Sequence, residues 1–243
     1  DYLWDTVDRV DVIYICSNGD IARQNINRLK LEGQEDFAFA SRLTLLPLHT
    51  KDLAARKLNF VSFTPGTSFD VGGGSGIVEE RAVLYYLLKE PWGLHGTGPK
   101  NVLQGGAGTE RWRDYLRWFR QERGRDIDDS IAVAFIDEIA HATGLREEFD
   151  ELCERFQRDR SNVPYEDRAA RNTIVGELRQ ILARCCLKKL QPDLVILDEF
   201  QRFRHLLHGN DEVAALAQQL FNYCGHQGDR ARVLLLSATP YKM

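Results

Sequence analysis

The sequence predicts a doubly wound α/β fold, in which helices cover both faces of a parallel β-sheet. Four short apolar segments lack the alternation of half-exposed strands, which is typical of parallel strands buried on both faces. They are residues 12–15, 60–63, 194–197 and 233–236. Helix-like stretches separate them: one at 21–29, and one with the i, i+3, i+4, i+7 rhythm before the last strand. Strands that alternate with helices in this way indicate a parallel sheet.

Two further segments complete the predicted organisation. Residues 43–46 are a fifth candidate strand, although Pro47, which cannot donate to a strand ladder, follows at once. Residues 72–191 open with a glycine-rich run and then show helical apolar stripes. We therefore expect a first part of the sheet domain at 1–71, a large and mainly helical insertion at 72–191, and the remainder at 192–243. The stripes are Trp112, Tyr115, Leu116 and Phe119; Ile131, Phe135 and Ile139; and Leu178, Ile181, Leu182 and Cys185.

The composition of the chain argues against several classes of protein. The net charge of -4 argues against a globally basic nucleic-acid binder, so any nucleic-acid contact must be local. No apolar run has the length of a membrane span, and the first residues lack the basic start and apolar stretch of a signal peptide. The five cysteines form no Cys-x-x-Cys pair, which suits a reducing compartment. We expect a cytoplasmic protein that does not contact a membrane.

Small or acidic polar residues follow each of the four predicted strands. The segments are Ser17–Asp20, Thr64–Thr67, Asp198–Gln201 and Ser237–Pro240. Ligands of parallel α/β sheets bind beyond the carboxyl ends of the strands. Four polar segments at one edge of the sheet therefore predict a binding site there.

Asp198 and Glu199 are the most informative pair. Two adjacent carboxylates after an apolar strand suit Mg²⁺ and water chemistry, because one can bind the hydrated metal while the other orients or deprotonates the attacking water. Acidic residues also stabilise the start of a helix after a strand, so this pair alone leaves both interpretations open.

Asp198-Glu199-Phe200-Gln201, followed by Ser237-Ala238-Thr239 on the next strand, resembles the second and third motifs of superfamily 2 helicases and translocases. The resemblance covers residues 10–70 and 190–243 and implies a RecA-like domain, ATP as substrate and Mg²⁺ as cofactor. It implies that Asp198 holds Mg²⁺ through water and that Glu199 is the catalytic base. Gln201 would couple nucleotide to nucleic acid, and Ser237 and Thr239 would link these residues to the bound strand. The segment Asp-Glu-Phe-Gln-Arg and the ending Ser-Ala-Thr-Pro-Tyr are closer to Snf-type or other bacterial translocases than to DEAD-box RNA helicases.

Two other segments are similar to family motifs that hold a nucleic-acid backbone. Residues 17–24 resemble the Pro-Thr-Arg-Glu-Leu-Ala-x-Gln segment of DEAD-box proteins, and residues 64–66 resemble their Thr-Pro-Gly-Arg. Backbone amides and hydroxyls at helix starts suit phosphates. The resemblance implies DNA or RNA as a partner, with DNA favoured. The contact residues would be Ser17, Asn18, Gln24, Thr64 and Gly66. Gly19 and Thr67 replace the family's arginines, and residues 64–66 also suit a simple turn.

No Gly-Lys-Ser/Thr loop, the family's phosphate-binding element, is present in the sequence. Three glycine-rich segments, 72–76, 93–100 and 105–109, lack its pattern and are predicted to be loops. We therefore expect the chain to belong to a longer protein, with that loop before Asp1 and a second RecA-like domain after Met243. We expect the chain alone to have little ATPase activity.

The sequence leaves two alternative functions open. The chain could be a non-catalytic module whose helical part binds nucleic acid or protein through arginines interleaved with aromatics between Arg111 and Arg125. It could also be a metal-dependent nuclease in which His205 or His208 joins Asp198 and Glu199. The leucines between the two histidines indicate packing instead, and spacing places no third ligand.

Overall fold

A computed structural model describes residues 8–29, 38–40, 42–69, 71, 74–158, 162–224 and 230–237. The chain divides into two compact units. The sheet unit consists of residues 1–43, 51–70 and 187–243, and the helical unit consists of residues 44–50 and 71–186.

Five strands form one sheet in the order β2-β3-β1-β4-β5, and every pairing is parallel. The α/β class with a parallel sheet is therefore confirmed. The three-residue strand β2 was not predicted. The strands are β1 (Val10–Ile15), β2 (Ala38–Ala40), β3 (Leu58–Phe63), β4 (Leu194–Leu197) and β5 (Arg232–Leu235).

The central strands bury apolar side chains as their sequence predicts. Ile13, Val61 and Leu197 are fully buried. Helix α1 (Gly19–Leu29) follows β1 and buries Ala22 and Ile26 in the cluster that also contains residues of β1 and β3. The helix begins at this point because the Asn18 side chain accepts a hydrogen bond from the Asp20 amide at 2.7 Å, as N-cap residues do.

The prediction of a fifth strand at residues 43–46 is wrong, because this segment is a 3-10 helix (Leu43–Leu48) with Pro47 inside it. Proline cannot donate a backbone hydrogen bond, so the segment would break a strand ladder but fits a short tight helix. The Pro47 carbonyl accepts a hydrogen bond from the Asp128 amide at 2.9 Å, which satisfies it without a neighbouring strand.

We predicted that all four apolar strands are buried on both faces, and this prediction is wrong for β5. Val233, Leu234, Leu235 and Leu236 are 41%, 44%, 43% and 37% exposed. In the described part of the chain, β5 pairs with β4 on one side and no strand lies on its other side. An apolar run predicts a strand suited to a sheet interior, but its exposure depends on neighbours that the run does not specify.

The helices of the helical unit confirm the three predicted apolar stripes, with the exception that Tyr115 is partly exposed. No described helix is long and apolar enough to cross a membrane. Helix α2 (Thr50–Ala54) spans the boundary between the units, and α3 (Pro65–Ser68) belongs to the sheet unit. The helical unit then contains α4 (Val78–Lys89), α5 (Gly98–Gln104), α6 (Thr109–Glu122), α7 (Asp129–His141), α8 (Leu145–Arg155) and most of α9 (Tyr165–Leu190). In the sheet unit, β4 is followed by a 3-10 helix (Phe200–Phe203), α10 (Arg204–His208) and α11 (Glu212–Phe221).

A buried ion pair joins α4 and α9 within the helical unit. The Arg179 guanidinium contacts Glu80 Oε1 at 2.9 Å, and their side chains are 1% and 0% exposed. Thr44 donates to the same oxygen at 2.6 Å, and Arg179 Nη1 donates to the Val71 carbonyl at 2.9 Å. Gly76 lies against this pair with φ 66, and a Cβ there would be 2.4 Å from Arg179 Nε. A side chain at position 76 would therefore displace the ion pair.

We expect Arg179→Met to destabilise the helical unit by about 3–5 kcal/mol, because it leaves the Glu80 carboxylate buried without its cation. Urea unfolding followed by tryptophan fluorescence measures this, since Trp92, Trp112 and Trp118 lie in the helical unit. Arg184→Met is the matched control, because Arg184 is a half-buried residue of the same helix outside the pair. Equal shifts of the urea midpoint in both variants would contradict the prediction.

Candidate functional site

The carboxyl ends of β1, β4 and β5 are level with one another. The Asp198 amide donates to the Ile15 carbonyl at 2.9 Å, and the Leu236 amide donates to the Leu197 carbonyl at 2.9 Å. These bonds continue the parallel register beyond the strands. The residues that follow each strand are consequently held side by side at one edge of the sheet.

Asp198 is held through one carboxylate oxygen. Its Oδ2 accepts hydrogen bonds from the Tyr14 hydroxyl at 2.5 Å and from Asn25 Nδ2 at 3.1 Å. Asn25 also donates to the Tyr14 hydroxyl oxygen at 3.0 Å, which closes the triangle. Burial, and after it the hydrogen bond to Asp198, raise the pKa of Tyr14 above its ordinary value of 10.0. Tyr14 therefore remains a neutral donor, and the Asp198 side chain is fixed.

Glu199 occupies a left-handed turn directly after Asp198. Its φ of 54 and ψ of 44 are unusual for a residue with a side chain, and such a conformation costs about 1–3 kcal/mol. Hydrogen bonds hold the turn: the Phe200 amide donates to the Leu236 carbonyl at 3.2 Å, and the Arg202 amide donates to the Glu199 carbonyl at 2.9 Å. The strand β5 thus contributes to the conformation of the acidic segment.

The Glu199 carboxylate has two partners. The Ser17 hydroxyl donates to its Oε2 at 3.3 Å, and Arg202 Nε lies 3.2 Å from the same oxygen. The Arg202 and Glu199 side chains are 64% and 39% exposed, so this ion pair is weak. Ser17 follows β1, and the contact therefore connects the predicted nucleic-acid segment with the predicted catalytic segment.

Gln201 and Ser237 are also brought together. Gln201 Nε2 donates to the Ser237 hydroxyl, which joins the segment after β4 to the segment after β5. Thr239, the other predicted coupling residue, lies outside the described residues.

The remaining predicted contact residues are less closely connected to the carboxylates. Asn18 caps α1, and Gln24 is exposed on the same helix. The Thr64 hydroxyl lies 3.4 Å from that of Thr67 within its own turn. Gly66 is exposed in α3, and a Cβ there would meet no atom within 4 Å, so no close approach requires glycine.

Tyr14 and Asn25 were not among the predicted site residues, although they position Asp198. A tyrosine within an apolar strand and an asparagine on the helix that follows could have indicated a polar contact. The carboxylate that Tyr14 and Asn25 contact is determined by the pairing of β1 with β4. Asp198 lies more than 170 positions after both residues in the sequence.

Among the residues at this edge of the sheet, only Asp198 is suited to hold a hydrated Mg²⁺. In the described part of the chain no hydrogen bond reaches Asp198 Oδ1, so this oxygen can accept one from a metal-bound water. Within the described residues no group of three or more His, Cys, Asp or Glu side chains could hold a metal ion directly. This carboxylate therefore suits Mg²⁺, which keeps several of its waters in proteins.

Comparisons of the chain with protein-family models, curated proteins and solved structures gave no match.

The glycine-rich segments differ in part from the predicted loops. Gly98 begins α5, so the segment 93–100 ends in a helix. A Cβ at Gly98 would lie 2.5 Å from the Cys153 carbonyl oxygen, which shows that glycine is needed there for close packing of α5 on α8. Gly74 and Ser75 form a turn, and Gly72 and Gly73 lie outside the described residues.

The Tyr14→Phe variant should lower the free energy of unfolding by about 1 kcal/mol at neutral pH, because it removes the donor to Asp198. Since the folded-state pKa of Tyr14 is raised, the unfolded chain releases this proton first, and wild-type stability decreases above about pH 10. In the variant this decrease should be smaller.

Urea unfolding monitored by circular dichroism from about pH 8 to about pH 11 compares the two proteins. Tyr165→Phe is the control, because Tyr165 is 79% exposed. The same pH dependence in wild type and Tyr14→Phe would rule out this role for Tyr14.

Proposed function

We propose that the sheet unit is part of a RecA-like motor domain of superfamily 2, which hydrolyses ATP with Mg²⁺ and couples hydrolysis to DNA or RNA, with DNA favoured. One observation carries the proposal. Hydrogen bonds join the ends of β1, β4 and β5 around the predicted acidic segment, through Ser17 with Glu199 and Gln201 with Ser237. A simple acidic helix start would need neither contact.

The two carboxylates have different surroundings, which suits different roles. Asp198 is fixed by Tyr14 and Asn25 and would hold Mg²⁺ through water, where the ion would neutralise charge on the transferred phosphoryl group. Glu199 is half-exposed and has weak partners, so its carboxylate can exchange Ser17 or Arg202 for a water molecule. We assign Glu199 as the base that accepts a proton from that water.

The exposed edge of β5 is a position at which the strand before the phosphate-binding loop can pair. β5 is apolar and has a free edge in the described part of the chain, and such an edge is a template for strand addition. We place the loop, which these 243 residues lack, after a further strand that pairs with β5.

Glu199→Gln should reduce the nucleic-acid-stimulated ATPase rate of the full-length protein by about a hundredfold or more, because the amide cannot accept the proton. Release of phosphate, measured with and without single-stranded DNA, gives the rate. Glu166→Gln, an exposed residue of α9, is the matched control and should leave the rate unchanged. Full activity of the Glu199 variant would refute the proposed mechanism.

The second candidate function is nucleic-acid binding by the helical unit, and one cavity favours it. A cavity of about 410 Å³ lies against α4 and α6, and no acidic residue is among its described lining residues. Trp112 is buried in the core, which leaves Trp118, 45% exposed, as the accessible tryptophan of α6. The cationic lining residues are Lys89, Lys100, Arg113, Arg117 and Arg120.

Arg120→Gln should weaken the binding of a labelled single-stranded oligonucleotide and lower the slope of log K against log salt by about 1, because one phosphate contact is lost. Fluorescence anisotropy at several salt concentrations measures both quantities. Arg111→Gln is the control, since Arg111 is exposed on the same helix but does not line the cavity. Identical salt slopes in both variants and wild type would exclude this cavity as the binding site.

A further inference from the structure

A second cationic cavity lies within the helical unit, between the end of α5 and the start of α9. Its volume is about 370 Å³, which is within the range of small-ligand sites. No aspartate or glutamate is among the described residues that line it. The lining includes the arginines Arg158, Arg168 and Arg171, and Gln104 and Gly105 after α5.

Arg171 is the decisive residue of this cavity, because it is buried and has no carboxylate partner among the described residues. It is 6% exposed, and its Nε is buried without a hydrogen-bond partner among the described residues. Its guanidinium lies 5.6 Å from the centre of the Phe156 ring, a cation–π contact that satisfies none of its N–H groups. Burial, and then the nearby charge of Arg168, lower the pKa of Arg171. A bound anion would offset both effects.

Neither acidic residue on the first turn of α9 supplies this anion. Glu166 is exposed and does not line the cavity. Asp167 is already paired with Arg155, whose Nη1 donates to its Oδ1 at 2.8 Å. Arg168 is exposed and contacts only the Val163 carbonyl, at 3.4 Å, among its described side-chain hydrogen bonds. The cavity also lies at the start of the 26-residue helix α9, where the helix dipole favours negative charge.

We propose that this cavity binds the phosphate group of a nucleotide or of a nucleic-acid strand. Phosphate oxygens match the planar guanidinium donors of arginine, and Arg171 and Arg168 together can neutralise a dianionic phosphate. The buried Arg171 sets the position of the phosphate, while the exposed Arg168 and Arg158 close over it from the solvent side. This site does not depend on the proposed ATPase activity, since none of its lining residues belongs to the sheet unit.

Isothermal titration calorimetry of the whole chain tests the proposal with three probes: inorganic phosphate, adenosine monophosphate and a short single-stranded oligonucleotide. Ionic strength is held constant with chloride, so that general salt effects cancel. The wild-type chain should bind at least one probe, and the tightest of the three identifies the source of the phosphate. Arg171→Gln and Arg168→Gln should each weaken that binding by about tenfold or more, as expected for loss of a charge-assisted hydrogen bond.

A matched control separates this result from its alternatives. Arg184→Gln, on the same helix outside the cavity, should bind as wild type does. Arg168 is exposed, so Arg168→Gln keeps the test valid if the buried Arg171 variant fails to fold. Absence of binding to all three probes, or binding that Arg168→Gln leaves unchanged, would overturn the proposal.

Discussion

The candidate site depends on the parallel register of β1, β4 and β5. Ile15 pairs with Leu197, and Leu197 pairs with Leu235, so the three strands end at the same level. Parallel strands all present their carboxyl ends at one edge, and side chains there lie within hydrogen-bonding distance of the neighbouring strand's extension. A shift of β4 by one residue would reverse the faces of its side chains and separate Asp198 from Tyr14. The backbone ladder therefore positions the carboxylates more directly than any local feature of their own segment.

The left-handed turn at Glu199 gives the two carboxylates different neighbours. Asp198 continues the direction of β4 and remains bound to β1, whereas Glu199 turns the chain toward β5, where Phe200 bonds to Leu236. This backbone conformation is unfavourable for a residue with a side chain, and it persists because neighbouring strands hold both sides of the turn. Any movement of β5 would alter the Phe200 bond and the Gln201 contact with Ser237 together. The geometry thus offers a route by which a change at β5 would reach Glu199.

The sequence predicted those parts of the fold that are determined by a few neighbouring residues. The apolar runs located β1, β3 and β4, and the polar residues after them located the edge that carries Asp198, because both features are determined within a few residues. Exposure of β5 could not be predicted, since it depends on which strand lies beside it. The roles of Tyr14 and Asn25 depend on strand pairing over more than 170 residues, and the Arg179–Glu80 pair spans 99. At residues 43–46 a local pattern gave a wrong prediction. The apolar run suggested a strand, but the segment with Pro47 is a 3-10 helix.

Two buried arginines of α9 differ in the partners that compensate their charge. Arg179 is 1% exposed in its side chain and is satisfied by Glu80 and backbone carbonyls, so its desolvation is compensated within the folded chain. Arg171 has comparable burial but contacts a phenyl ring and faces an open cavity whose described lining has no acidic residue. Leaving a cation buried without a partner costs several kcal/mol, which a fold avoids unless something else compensates it. An aliphatic side chain would fill the space against Phe156 at lower cost. An anion that enters from the solvent supplies the missing compensation, and this is the physical reason to expect a phosphate group beside Arg171.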